Sequence, residues 1–148
     1  MERDYRNIYR YARKRTGFSQ EYWAEMIGVS ADAVRQYEAG RMLPSDDVAL
    51  AMSEVAGWRA LCYRHLIQKS LAAQKILPEL QEKTLPEAVL SLLCRVEDFS
   101  RGGLEDLKRL AADGRISADE VVAFGEALAE LREMIGAAYE LQYAREAE

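Results

Sequence analysis

Between Ser19 and Gly40 apolar residues recur at helical spacing in two short bursts, Trp23, Ala24 and Ile27 and then Val34 and Tyr37, with Gly28-Val29-Ser30 between them. The spacing predicts two short amphipathic helices separated by three turn residues, the second stopped at Gly40. Upstream, Tyr5, Tyr9 and Ala12 at steps of four and three predict a helix from about Asp4 to Arg15, ended by Gly17, with its arginines outward. Downstream, Arg41-Met42-Leu43-Pro44 reads as a linker. Ser45 with Asp46 and Asp47 then opens a fourth helix through a capping side chain and negative charge at the helix N-terminus. Ala49, Met52 and Val55 form its inner face and Gly57 closes it. From Trp58 a helical pattern resumes with Leu61, Leu66 and Cys62 inward. It meets no breaker through Ile76-Leu77, which predicts a long linking helix as far as Pro78.

The second half is patterned differently. Thr84-Leu85-Pro86-Glu87 is a capping box opening a helix with an apolar stripe of Val89, Leu92, Leu93 and Val96, broken at Gly102-Gly103. Leu104, Leu107, Leu110 and Ala111 predict a short helix, and Asp113-Gly114 turns into a second capping box, Ser117 to Glu120. In the last, long helix Val121, Phe124, Leu128, Leu131, Ile135, Ala138 and Gln142 alternate at steps of three and four, the seam of a coiled coil. Val122, Met134 and Leu141 widen that seam toward a face buried in a bundle. Self-association through Phe124, Leu128, Leu131 and Ile135 is the first reading of this stripe. An intramolecular core, or a surface for a protein partner, is the second.

The paired helices at Ser19 to Gly40 make a helix-turn-helix. Ser19 caps the first helix and Ser30 the second, while Gly28 supplies a left-handed turn that a residue with a Cβ reaches only at some cost. Ala24 is small enough for the second helix to cross closely. With Val29, Val34 and Tyr37 turned to a core, Ala31, Asp32, Arg35 and Gln36 remain on the open face of a helix that fits a DNA major groove.

The residues Ser19-Gln20-Glu21, Trp23-Ala24, Ile27-Gly28-Val29-Ser30, Val34, Glu38, Gly40 and Pro44-Ser45 resemble the pattern of the lambda-repressor/Cro-like (XRE) helix-turn-helix family. The likeness covers about residues 5 to 66. It implies an all-α protein with an N-terminal five-helix, lambda-repressor-like DNA-binding bundle over residues 1–70. Residues 71–83 are then a linker, and residues 84–148 a helical C-terminal region for oligomerisation or partner binding. It also implies double-stranded DNA as partner, with Ala31, Asp32, Arg35 and Gln36 at the bases and Arg10, Arg13, Gln20, Ser30 and Arg41 at the sugar-phosphate backbone. Two departures weaken the match: Ala31 stands where the family usually has a polar base reader, and Met42 where it often has a basic residue.

Charge bears on this only when divided along the chain. The total is −5, but residues 1–70 hold 11 Lys and Arg against 9 Asp and Glu, a net +2, and residues 71–148 hold 9 against 16, a net −7. Phosphate contacts are therefore expected in the first half only. Residues 1–17 alone carry six basic and two acidic side chains. No apolar run approaches the ~18 residues needed to cross a bilayer, and the polar start is unlike a secretory signal, so no membrane association and a cytoplasmic location are expected. Cys62 and Cys94 lack zinc or disulfide spacing and read as core thiols.

Asp113-Gly114-Arg115-Ile116 and Glu120 mimic the second half of an EF-hand loop, but the first two ligand positions would be Arg109 and Ala111, which do not bind calcium. No metal, cofactor or catalytic constellation is expected, and the chain does not read as an enzyme. Two functions remain. One is a sequence-specific transcription regulator, a repressor acting as a homodimer on a palindromic operator. The other is a protein-interaction regulator that uses its C-terminal helices and touches DNA weakly. Asp32 favours the second, since an acid at the start of the DNA-facing helix repels phosphate, although it can accept from a cytosine amino group.

Overall fold

A computed structural model describes residues 7–144, and every regular element in that span is an α-helix. The chain divides into two compact units, Met1–Leu77 and Pro78–Glu148.

The first unit contains α1 (Ile8–Thr16), α2 (Gln20–Ile27), α3 (Ala31–Glu38), α4 (Asp46–Ala56), α5 (Ala60–Lys69) and α6 (Leu71–Ile76). The first helix starts later than the expected Asp4. Asn7 is its cap, in extended conformation, with its side chain accepting from the amides of Tyr9 and Arg10. The expected role of Tyr5 lies outside the described residues. Ser19 and Ser30 cap α2 and α3 as their positions predict, accepting from the amides of Tyr22 and Ala33, both at 3.1 Å. At the turn between them Gly28 has φ 73°, the left-handed conformation its place in the motif requires.

Tyr9, Ala12, Trp23, Val34, Ala49, Met52 and Leu61 are almost wholly buried and form one core shared by α1 to α5. Leu66, expected inside, is 46% exposed. Leu61 and His65 are four residues apart and define the inward face of α5, so Leu66 falls one position off it.

The long linking helix expected through Leu77 is interrupted at Ser70, which adopts an extended conformation between α5 and α6. Its hydroxyl accepts from the amide of Ala73 at 3.2 Å, and the Gln74 side chain donates to the Ile67 carbonyl at 2.9 Å. A serine satisfies the backbone groups of a helix start better than it propagates a helix, so no glycine or proline is needed for the break. Residues 71–76, expected in a linker, therefore form a helix of the first unit.

The second unit is a helical hairpin. Its first arm is α7 (Leu85–Arg101) followed, after a break at Gly102, by α8 (Gly103–Asp113); its second arm is α9 (Val121–Gln142), against which both pack. The Thr84 capping box forms, with the Glu87 carboxylate accepting from the Thr84 amide at 2.9 Å. At Ser117 only the return bond forms, from the Ser117 amide to the Glu120 carboxylate at 2.9 Å; residues 118–120 are a turn, and α9 begins after Glu120 rather than at the expected Ser117 cap. Lys83 with Glu140 and Arg95 with Glu133 pair across the arms, which sets α7 and α9 antiparallel. The buried positions of α9 are Ala127, Gly136, Ala137 and Glu140, offset from the predicted apolar seam. Small side chains at the seam of two helices permit close approach, and Gly103 shows how close: a Cβ there would lie 2.5 Å from Glu130 Oε2 and 2.6 Å from the Phe99 ring. Cys94, read as a core thiol, is exposed, and Cys62 is half-buried.

Candidate nucleic-acid interface

The open face of α3 carries the four residues expected at the bases. Asp32 and Arg35 are exposed, Ala31 and Gln36 half-buried, while Val34 and Tyr37 on the opposite side are buried. This is the division a helix must have to sit in a groove with its back on a core. Arg35 is not free-standing: its guanidinium donates to Glu21 at 3.1 Å across the helix pair. The Glu21 carboxyl is held below its ordinary value, first by its own backbone amide and then by Arg35. Both partners are at least half exposed, so a competing phosphate or base edge can take Arg35 at little cost.

The expected backbone contacts separate into two groups. Arg10 and Arg41 are exposed. Ser30 is exposed too, but its hydroxyl oxygen is engaged in capping α3. Arg13 is different, and corrects the sequence reading: it is 8% exposed and faces inward. Its Nε donates to Glu38 Oε1 at 2.6 Å, a terminal nitrogen to Glu38 Oε2 at 2.9 Å, and the other to the Phe18 carbonyl at 2.7 Å. Three of its five N–H donors are held inside the protein and its charge is paired with a buried carboxylate, so the side chain is poorly placed to meet a phosphate. Helical spacing alone could not show this, because Arg10 and Arg13 share one face of α1 and only the partner helix distinguishes them.

Gln20 joins the same network, donating to Glu38 Oε2 at 2.8 Å. Burial works to raise the Glu38 carboxyl, but hydrogen bonds from Arg13 and Gln20, with the charges of Arg13 and Arg10, outweigh it and hold the group below its ordinary value. Glu38 thus stays ionised and ties the end of α3 to α1 and to the start of α2. Asn7 adds a second tie, donating from its side chain to the Tyr37 carbonyl at 2.7 Å.

Between α1 and the end of α3 lies an open cleft of about 590 Å³ whose walls include Arg10, Lys14, Glu38 and Gly40. Lys14 is exposed beside Arg10 and belongs to this positive edge, although sequence reasoning did not single it out. The signal was there in the basic run of α1: four positions separate Arg10 from Lys14, one helical turn on the same face.

Residues 10–58 match the helix-turn-helix family model, a stretch spanning α2 and α3 whole with α4 and most of α1. The first unit therefore carries a helix-turn-helix DNA-binding domain of the kind found in transcription regulators. It is of the lambda-repressor/Cro-like (XRE) type, as the motif residues imply. The match covers about a third of the chain and does not reach the second unit. No curated protein and no solved structure matches the chain. Among the described residues no helix is long and apolar enough to cross a membrane.

Proposed function

We propose that this chain is a sequence-specific DNA-binding transcription regulator, a repressor that binds a palindromic operator as a homodimer. The observation that carries the reading is the α3 face: Asp32, Arg35 and Gln36 project from a helix whose two caps, buried back and Glu38 anchor hold it rigid, beside the exposed cations Arg10, Lys14 and Arg41. Gln36 reads a base, since its amide both donates and accepts and so matches adenine, and Ala31 leaves room for a thymine methyl. Arg10, Arg41, Gln20 and the amides at the Ser30 cap hold phosphates and set the register. Arg13 acts indirectly, by fixing Glu38 and through it Gln20.

The second unit supplies the dimer, with Leu128 and Ile135 of α9 exposed and Phe124 and Leu131 half-buried along its seam. Two motifs held together in this way read half-sites about one DNA turn apart. Selection of bound sequences from random duplex DNA by the full chain tests the reading. Enrichment of an inverted repeat is expected. Binding that ignores sequence at fixed salt overturns it, and would favour the protein-interaction regulator instead.

A further inference from the structure

The second unit lacks a core of its own size. Among its described residues the buried apolar side chains are Leu80, Ala88, Ala127 and Ala137, and none of its large side chains is fully buried, in contrast to Trp23, Tyr9, Met52 and Leu61 of the first unit. Its larger apolar residues are on the surface instead. On α7, Val89, Leu93 and Val96 are 37, 58 and 41% exposed; on α9, Val121, Leu128 and Ile135 are 56, 42 and 50% exposed.

Helical register sets the stripes of α7 and α9 on the same side of the hairpin. The ion pairs Arg95–Glu133 and Lys83–Glu140 close one edge of the groove between α7 and α9. At 100° per residue, Val89, Leu93 and Val96 lie on the other side of α7's buried Ala88, away from Arg95. By the same reckoning Leu128 and Ile135 lie on the other side of α9's buried Ala127, away from Glu133. On α7 the sector that holds them, roughly 160° wide, contains no charged residue, and on α9 it is roughly 120° wide, with the exposed Arg132 at its rim. The net −7 of residues 71–148 is carried elsewhere on the unit.

We infer that this face pairs with the same face of a second copy, so that two hairpins close into an antiparallel four-helix bundle in which α7 contributes as much as α9. A two-layer hairpin with one open apolar side is half of such a bundle. The exposed parts of the six residues amount to on the order of 500 Å² per chain before any rim is added, within reach of the ~800 Å² per partner of a stable interface. An uncharged face is complementary to itself. A basic partner would be expected to meet acids on the docking face, and these are absent from it. The inference deepens the dimer proposed above by naming its interface, and its test needs no DNA.

Sedimentation of the full chain across about 1 to 100 μM is the test, with circular dichroism to follow helix content. The wild-type chain is expected to be a dimer. Leu93→Asp is expected to sediment as a monomer with its helix content kept, while Leu90→Asp, on the same helix but outside the stripe, remains a dimer. Should Leu93→Asp lose helix, Leu93→Ala serves in its place, with a rise of tenfold or more in the dissociation constant expected at unchanged helix content. A wild-type monomer at 100 μM overturns the inference, and so does a dimer indifferent to Leu93. A monomer that still enriches a DNA sequence removes this interface while leaving the DNA-binding reading in place.

Discussion

Arg13 and Glu38, 25 residues apart, meet through two parallel hydrogen bonds of 2.6 and 2.9 Å, their side chains only 9 and 6% exposed. The pair joins α1 to the last turn of α3, so the orientation of the DNA-facing helix depends on an ion pair that itself touches no DNA. Removing one partner of a buried pair leaves the other charge unpaired, which costs about 3–5 kcal/mol. Arg13→Ala is therefore expected to lower the stability of the first unit by about that amount. Both tryptophans of the chain, Trp23 and Trp58, lie in this unit, so denaturant titration followed by tryptophan fluorescence reads it directly. A loss below about 1 kcal/mol would mean that Arg13 was better solvated than its contacts imply.

The same pair sets a pH dependence. With the Glu38 carboxyl below its ordinary value when folded, its contribution to stability is complete above the unfolded value near 4.3 and is lost as pH falls through the folded value. Glu38→Gln removes this titration. The stability gap between wild type and Glu38→Gln is expected to be constant from about pH 7 to 5 and to narrow below about pH 4.5. Equilibrium unfolding by fluorescence at a series of pH values decides it, and a gap that is flat down to pH 3 counts against the assignment.

Tyr9 and His65 make a second buried tie. The Tyr9 hydroxyl lies 2.9 Å from His65 Nδ1, and His65 Nε2 lies 3.0 Å from Asp46, whose carboxylate also holds Lys69 at 2.6 Å. Since the Asp46 carboxylate can only accept, Nε2 donates to it, and in the neutral ring that leaves Nδ1 to accept from Tyr9. Burial pushes the Tyr9 hydroxyl up to about 12, so it remains a donor at any ordinary pH. Tyr9→Phe leaves a buried nitrogen without a donor, and about 1–3 kcal/mol of destabilisation is expected by the same fluorescence titration. A neutral result would show that Nδ1 finds water.

What the sequence revealed follows from how local each signal is. The caps at Ser19, Ser30 and Ser45, the turn at Gly28 and the capping box at Thr84 were legible because each rests on contacts within about four residues. The inward turn of Arg13 was not, since it depends on Glu38 arriving from another helix. Nor was the break at Ser70, where a residue tolerated inside helices acts instead as a cap. In the second unit the apolar stripes of α7 and α9 were visible as patterns, yet which part packs inside was not: alanines and glycine occupy the seam, and they carry little hydrophobic signal. The polar face of α3 was read at the level of residues, but the occupation of Arg35 by Glu21 needed the geometry of the helix pair.

Gly103 tests the hairpin. The Cβ of Gly103→Ala would overlap the Phe99 ring and the Glu130 carboxylate, and Phe99 is itself half-buried. Overpacking of this kind costs about 1–3 kcal/mol. Loss of helix content on heating, followed by circular dichroism, is expected to begin at a lower temperature, while the fluorescence transition of the first unit stays where it was. If both transitions move together, the two units do not unfold independently. Gly102→Ala, with nothing near its Cβ, is the control for the added side chain.

Gln36 and Arg41 separate base reading from phosphate contact. Gln36 is half-buried on the open face of α3, so its position is constrained by the helix beneath it, whereas Arg41 is exposed just beyond the end of that helix, its amide bonded to the Gln36 carbonyl at 3.0 Å. A direct base reader contributes discrimination, and a phosphate contact contributes affinity shared by all sequences. Gln36→Ala is expected to cost about 1–3 kcal/mol on the selected site and to relax preference at one base pair of each half-site. Arg41→Ala is expected to weaken every sequence alike and to lower the salt slope by about one unit per motif. Binding curves on the selected site and on single-base variants, each at several salt concentrations, resolve the two effects. If Gln36→Ala leaves the ranking of half-sites unchanged, base reading passes to Asp32 or Arg35. The Arg35 case then has its own signature, since freeing the guanidinium by Glu21→Gln should strengthen binding.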